Sequence, residues 1–151
     1  MTAYARNATG TLSRMNSMQP IAKTIFVCDE VVADPVSGKV SVLNLLNTVR
    51  IPPGESLPYR LAKLSVFAEF REGHGEATIR VLFRRADTGE IFAQTSERTV
   101  LFSHPRETIY FHFRVSDLKL PDSGVFFVEV FCNNQFVDDQ VVAIMESGEE
   151  A

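Results

Sequence analysis

Acidic side chains make the strongest case for chemistry in this sequence, because several of them follow strand-like runs and fall in turns. Carboxylate oxygens that converge from loops are ligands that Ca²⁺ prefers, and C2-like β-sandwiches can present such loops at one rim. The acids concerned are Asp29, Glu30, Asp34, Asp117, Asp122, Asp138 and Asp139. Their spacing matches no fixed calcium loop, so solvated turn acids are the preferred interpretation and no metal site is predicted.

The histidines and cysteines show no spacing typical of a metal or catalytic site. His74 lies in a glycine-flanked turn, His104 precedes a proline, and His112 falls on the polar face of a strand-like run, so surface roles are expected. Cys28 and Cys132 could meet in the fold, but without a secretory signal two buried thiols are expected rather than a disulfide. The sequence also contains no nucleophile elbow, P-loop or dinucleotide fingerprint. We therefore expect a protein that is not an enzyme and binds no cofactor.

The elements that would position these groups are strands. The stretch 124–144 is typical of two strands joined by a tight turn at Asn133 and Asn134, because asparagine tolerates the positive φ of primed hairpin turns. Alternation through the first of these strands places four residues on one face: Phe126, Val128, Val130 and Cys132. Similar runs, separated by short turns, recur from residue 21 onwards, and none has a sustained helical period.

These runs predict about eight strands in an all-β, antiparallel sandwich of two sheets. Immunoglobulin-like and C2-like topologies both fit the pattern. The run 40–51 is interpreted as one strand, and the run 90–102 is expected to contain a bulge or break because polar residues interrupt it. Residues 116–121 are expected to form a single helical turn that bridges the two sheets.

Length and composition predict one domain, since 151 residues of which 45% are hydrophobic can bury a sizeable core. Residues 20–145 are assigned to a single β-sandwich, 146–151 to an acidic tail, and 1–19 to a disordered tail, for which an organelle transit peptide is the alternative. The net charge of −4 argues against nucleic acid and membrane surfaces as partners. The low cysteine count and the lack of a signal peptide favour the cytoplasm.

Four stretches of the chain resemble a family of small bacterial proteins of unknown function. They are residues 25–31 followed by 37–41, the mid-chain segment 67–71 and the closing segment 124–130. The resemblance covers about Pro20 to Ile144 and implies a small β-sandwich from a bacterium. It implies no activity, cofactor or catalytic residue.

Large apolar residues on strand faces that are otherwise polar are the most informative feature for function. They are Phe67, Leu82, Val125, Phe127 and Phe131. Apolar residues clustered outside a core often mark an interface, although a second covered layer would explain them equally well. We therefore expect a non-enzymatic interaction or scaffold module that binds a protein partner or a second copy of itself. A cation-binding or small-ligand-binding accessory domain is the alternative, and an enzyme comes third.

Overall fold

The computed structural model describes residues 20–147, in which ten β-strands form two packed sheets. The strands are β1 (Ile21–Ala33), β2 (Val40–Leu45), β3 (Thr48–Arg50), β4 (Tyr59–Arg71), β5 (Gly75–Arg85), β6 (Ile91–Gln94), β7 (Arg98–Phe102), β8 (Ile109–Leu120), β9 (Gly124–Cys132) and β10 (Gln135–Met145). The predicted tail 1–19 and the last four residues of the predicted acidic tail lie outside the described residues.

The four-stranded sheet has the order β2-β1-β4-β8. The six-stranded sheet has the order β3-β10-β9-β5-β6, and β7 pairs with β5 further along the same edge. These sheets confirm the all-β, two-sheet prediction. One pairing differs, because β3 runs parallel to β10, with Thr48 opposite Ala143, whereas an entirely antiparallel fold was predicted.

Two interruptions raise the number of strands from the predicted eight to ten. The expected break in the run 90–102 is confirmed, and it separates β6 from β7. The run 40–51 is not one strand, because the chain passes from one sheet to the other within it. At the crossing, Leu46 N donates to Val27 O over 2.8 Å, and Asn47 O accepts a bond from Ala143 N over 3.0 Å.

The predicted helical turn at 116–121 is wrong, because β8 continues through this region to Leu120. Ser116 pairs with Lys63 of β4, and Leu118 pairs with Leu61. The side chains of Leu118 and Leu120 are buried in the core. Burial of these two leucines on one face stabilises an extended chain. A bridging turn would not place both side chains in the core.

The core lies between the inner faces of the two sheets, and strand alternation determines which side chains reach it. The four residues that alternation places on one face of β9 are all buried: Phe126, Val128, Val130 and Cys132. Phe126 contacts the rings of Phe83 and Phe92, with centroid distances of 6.3 Å and 5.5 Å. These ring contacts join β9 to β5 and β6, and so they fix the position of the outer face of β9.

The turn between β9 and β10 is the predicted two-residue loop. Asn133 and Asn134 have φ values of 52° and 65°, the left-handed conformation that primed hairpin turns need. The Asn133 Oδ1 atom accepts a bond from Thr78 N over 2.9 Å, and Asn134 Oδ1 accepts one from Arg80 over 3.3 Å. The hairpin is thereby joined to β5 at its tip.

We expect Asn134→Ala to be less stable than Asn134→Gly by about 0.5–1 kcal/mol, because alanine disfavours a positive φ that glycine adopts freely. Both variants lose the bond to Arg80, so their difference isolates the backbone effect. Urea denaturation of the two proteins measures it. Equal midpoints and slopes would contradict the left-handed assignment.

Candidate interaction surface

The outer face of the β9–β10 hairpin carries an apolar surface that we call the hairpin patch: Val125, Phe127, Phe131, Phe136 and Val141. Val125, Val141 and Phe136 are 42%, 51% and 54% exposed, whereas Phe127 and Phe131 are half-buried. Strand register places Phe127 opposite Val141 and Phe131 opposite Phe136. The rings of the second pair meet edge to face, with centroids 5.9 Å apart. The patch therefore extends across two neighbouring strands.

A bulge in β10 decides which of its residues join the patch. The register with β9 shifts between Phe136 and Asp138, so Asp139 and Val141 face outward on the same side as Phe136. Strict alternation from Phe136 would have turned both of them inward. The bulge thus adds Val141 to the apolar surface and places Asp139 directly opposite Glu129.

Two arginines of β5 form the polar border of the hairpin patch. Arg84 Nε lies 3.0 Å from Glu129 Oε1, and a second nitrogen of Arg84 donates to Gly89 O over 2.9 Å. The guanidinium of Arg80 lies over the Phe131 ring, 5.2 Å from its centroid. Leu82 lies between these arginines on the same face of β5, and only 2% of it is exposed.

The five residues predicted to bind a partner do not form one surface. Val125, Phe127 and Phe131 belong to the hairpin patch, whereas Leu82 is buried beside it. Phe67 lies on the four-stranded sheet and is also buried, between the rings of Phe26 and Tyr110 at centroid distances of 6.5 Å and 5.4 Å. For Phe67 and Leu82 the predicted alternative of a covered layer fits the structure better than direct contact with a partner.

The outer face of the four-stranded sheet is a second partly apolar surface. Its exposed apolar residues are Phe26, Val32, Leu43, Leu45 and Tyr110. Glu30 on the same face pairs with Arg114 at 3.2 Å and with Lys63 at 3.6 Å. The charge of Glu30 is therefore balanced within this face by two cations.

A serine and a histidine meet beneath that face. His112 Nε2 lies 3.0 Å from Ser65 Oγ, and the Ser65 hydroxyl donates to Asp29 O over 3.4 Å. Burial, together with the nearby Arg114 and Arg98 charges, lowers the pKa of His112. Ser65 is fully buried, so its hydroxyl is not accessible to a substrate as a nucleophile. The contact gives each of these two polar side chains a hydrogen-bond partner within the packed sheet.

Cys28 and Cys132 are both buried and do not form a disulfide with each other. Burial raises the pKa of the Cys28 thiol and raises that of Cys132 to about 12. A thiol with a raised pKa contains little thiolate at neutral pH, which is the nucleophilic form. The geometry fits the expectation of two structural thiols.

The acids considered for a cation site are held apart by the fold. Asp34 Oδ1 accepts a bond from Val36 N over 2.9 Å within the β1–β2 turn, and this bond lowers the pKa of Asp34. Asp122 lies near Arg85 on the six-stranded sheet, at 3.7 Å. Within residues 20–147, no three histidine, cysteine or acidic side chains are grouped so that they could hold a metal ion.

Two packed sheets with an apolar outer patch define an all-β sandwich protein with a candidate interaction surface. The chain belongs to DUF6941, a family of unknown function whose sequence pattern matches residues 23–143. The predicted resemblance to a family of unknown function is thereby confirmed over nearly the whole sandwich. A comparison with curated proteins gives no significant match.

Helices that could cross a membrane are absent from the stretch 20–147.

Proposed function

We propose that this protein is a non-enzymatic interaction module that binds a protein partner through the hairpin patch. The observation that carries the proposal is the group of neighbouring apolar side chains on one outward face, three of them about half exposed. Soluble proteins rarely expose large contiguous apolar surfaces unless another molecule covers them. Charged residues at the border, such as Arg80 and Arg84, match the polar rim that surrounds the apolar centre of protein interfaces.

The hairpin patch also has the rigidity that binding favours. The inner face of β9 is packed into the aromatic core, and the hairpin tip is bonded to β5 through Asn133 and Asn134. A preorganised surface loses little conformational entropy when a partner binds. Immunoglobulin-like and C2-like sandwiches can both present such a face, and the proposal holds for either topology. It includes a bacterial cytoplasm as the setting, in line with the family resemblance of the sequence.

Val141→Glu is expected to weaken partner capture about tenfold or more, because a charge would replace an exposed apolar side chain within the contact. Its thermal stability is expected to change little, since about half of Val141 is already exposed. The measurement is quantitative affinity capture from a lysate of the source organism, with melting curves of each variant. Val32→Glu is the matched control, because Val32 is 46% exposed and lies on the other sheet.

Wild type and Val32→Glu are expected to capture the same proteins in equal amounts. Capture that Val141→Glu leaves unchanged would exclude the hairpin patch as the binding surface. Sedimentation of wild type and Val141→Glu tests the related possibility of a homo-oligomer, because self-association through this face would be lost in the variant.

A further inference from the structure

The hairpin patch has a charged row at its centre. Strand register gives three successive outward rows across β9 and β10: Phe127 with Val141, then Glu129 with Asp139, then Phe131 with Phe136. Successive outward rows of a sheet are separated by two residues, or about 7 Å. A carboxylate pair therefore lies between two apolar pairs.

The two carboxylates of the central row differ in their partners. Glu129 is buried and is neutralised by Arg84 at 3.0 Å, on the side away from β10. Asp139 is half-buried, and within residues 20–147 no cationic side chain pairs with it. Partial burial and the charges of Asp138 and Glu129 raise the pKa of Asp139. The centre of the apolar surface thus carries one negative charge without a counter-charge.

The neighbouring arginines are engaged elsewhere. Arg84 bonds both Glu129 and Gly89 O, and Arg80 bonds Gln94 and Asn134 while its guanidinium lies over the Phe131 ring. Neither guanidinium is therefore available to pair with Asp139. An interface that covered Asp139 with apolar atoms alone would bury a charge without compensation, which is costly.

We propose that the partner is a polypeptide segment that places a lysine or arginine against Asp139, between two apolar anchors. This inference rests on the proposed function. One anchor packs on Phe127 and Val141, and the other on Phe131 and Phe136. In an extended segment, side chains on one face repeat every second residue, so the row spacing matches the pattern apolar-x-Lys/Arg-x-apolar.

The same charges argue against a second copy of this chain as the occupant. A two-fold interface pairs a surface with itself, so an axis through the centre of the patch would bring the two Asp139 carboxylates together. Like charges in an interface are repulsive. An anionic lipid surface is opposed by the same carboxylate.

The test uses a displayed library of random twelve-residue peptides selected on the full-length protein. Selected peptides are synthesised with a fluorophore, and their affinities are measured against wild type, Val141→Glu, Asp139→Asn and Asp138→Asn. Asp138→Asn is the matched control, since it removes the same charge one residue away and keeps an amide oxygen where Asp138 Oδ1 accepts from Asp139 N. Any effect of long-range charge alone would appear equally in both asparagine variants.

We expect the selected peptides to share the apolar-x-Lys/Arg-x-apolar pattern and to lose affinity in Val141→Glu. Asp139→Asn should weaken them about tenfold, and Asp138→Asn less than about twofold, because a contact at close range exceeds a screened distant charge. Replacing the peptide cation with glutamine should weaken binding to wild type by a similar factor and leave binding to Asp139→Asn unchanged, as direct coupling requires.

Three results would overturn the proposal. In the first, the selected peptides lose affinity in Val141→Glu, but they contain no shared cation and bind Asp139→Asn as tightly as wild type. This result would keep the hairpin patch as a binding surface and exclude the salt bridge. A library that yields no peptide sensitive to Val141→Glu would count against both the salt bridge and the proposed function. A wild-type dimer that Val141→Glu dissociates would show that a second copy is the occupant.

Discussion

Phe126→Ala is expected to lower the free energy of unfolding by about 3–5 kcal/mol, the cost typical of removing a buried phenylalanine from a packed core. The Phe126 side chain is 1% exposed and contacts the rings of Phe83 and Phe92. Truncation removes the apolar burial of the ring and leaves a cavity that the two remaining rings fill only in part. Chemical denaturation of wild type and Phe126→Ala measures the difference in the free energy of unfolding, when both curves are fitted with one slope of free energy against denaturant concentration.

Phe136→Ala is the matched control, because it removes the same atoms from an adjacent strand where Phe136 is 54% exposed. Its expected loss is about 1 kcal/mol, most of it from the edge-to-face contact with Phe131. If the proposed function is correct, Phe136→Ala also weakens partner binding, whereas a Phe126 variant that stays folded does so far less. Equal losses of stability in the two variants would contradict the assignment of inner and outer faces.

Arg84→Met is expected to cost about 2 kcal/mol at neutral pH, because it leaves a buried carboxylate without its cation. Glu129 is 8% exposed, faces Asp139 across the strand pair, and pairs with Arg84 at 3.0 Å. Arg84 itself is partly exposed, which keeps the expected cost below that of a fully buried ion pair. Thermal and urea denaturation across a pH series measure the effect.

The pH series also tests the charge of Asp139. The pKa of Asp139 is raised by partial burial and by the Asp138 and Glu129 charges. A carboxyl whose folded-state pKa exceeds its unfolded value destabilises the fold when ionised, so the penalty is present at neutral pH and fades as the pH falls through the folded-state pKa. Asp139→Asn removes this penalty, so the stability gap between wild type and Asp139→Asn should narrow as the pH falls from 7 toward about 4.

Arg85→Met is the control for the loss of an arginine side chain. Arg85 pairs with Asp87 at 3.0 Å and with Asp122 at 3.7 Å, and both of these carboxylates are largely exposed. Exposed ion pairs contribute about 1 kcal/mol or less, so Arg85→Met should be the milder substitution. A larger loss in Arg85→Met than in Arg84→Met would contradict the importance of Glu129 burial.

Strand alternation was sufficient to predict β9 and its turn. Phe126 to Cys132 alternate without interruption, and the φ values of Asn133 and Asn134 match the residue type that the turn needs. The break between β6 and β7 was predictable for a similar reason, because polar residues interrupt an otherwise apolar run. Local sequence patterns predict a strand correctly where its pairing with a neighbouring strand continues without a register shift.

The composition of the hairpin patch was predictable only in part. Phe136 and Val141 were missed because a bulge changes the phase of β10, and periodicity alone does not reveal such a shift. Adjacent Asp138 and Asp139 within an apolar run were an available signal, since strict alternation would direct one of them into the core. The burial of Leu82 and Phe67 depends on neighbours from other strands, Glu129 and Gln94 in one case and Phe26 and Tyr110 in the other. Such contacts require the sheet order, which the pattern of a single sequence does not provide.

The parallel pairing of β3 with β10 has a consequence for the order of folding. The β9–β10 hairpin closes a very short loop, whereas pairing Thr48 with Ala143 joins residues that are far apart in the sequence. Closing the long loop costs more chain entropy. Because β3 has only three residues, it makes few contacts that could offset this cost. We infer that the hairpin forms early and that β3 docks last, onto a β10 already paired with β9. The hairpin patch would then form before the six-stranded sheet is complete. Non-local strand pairings of this kind are typical of proteins that fold in milliseconds to seconds.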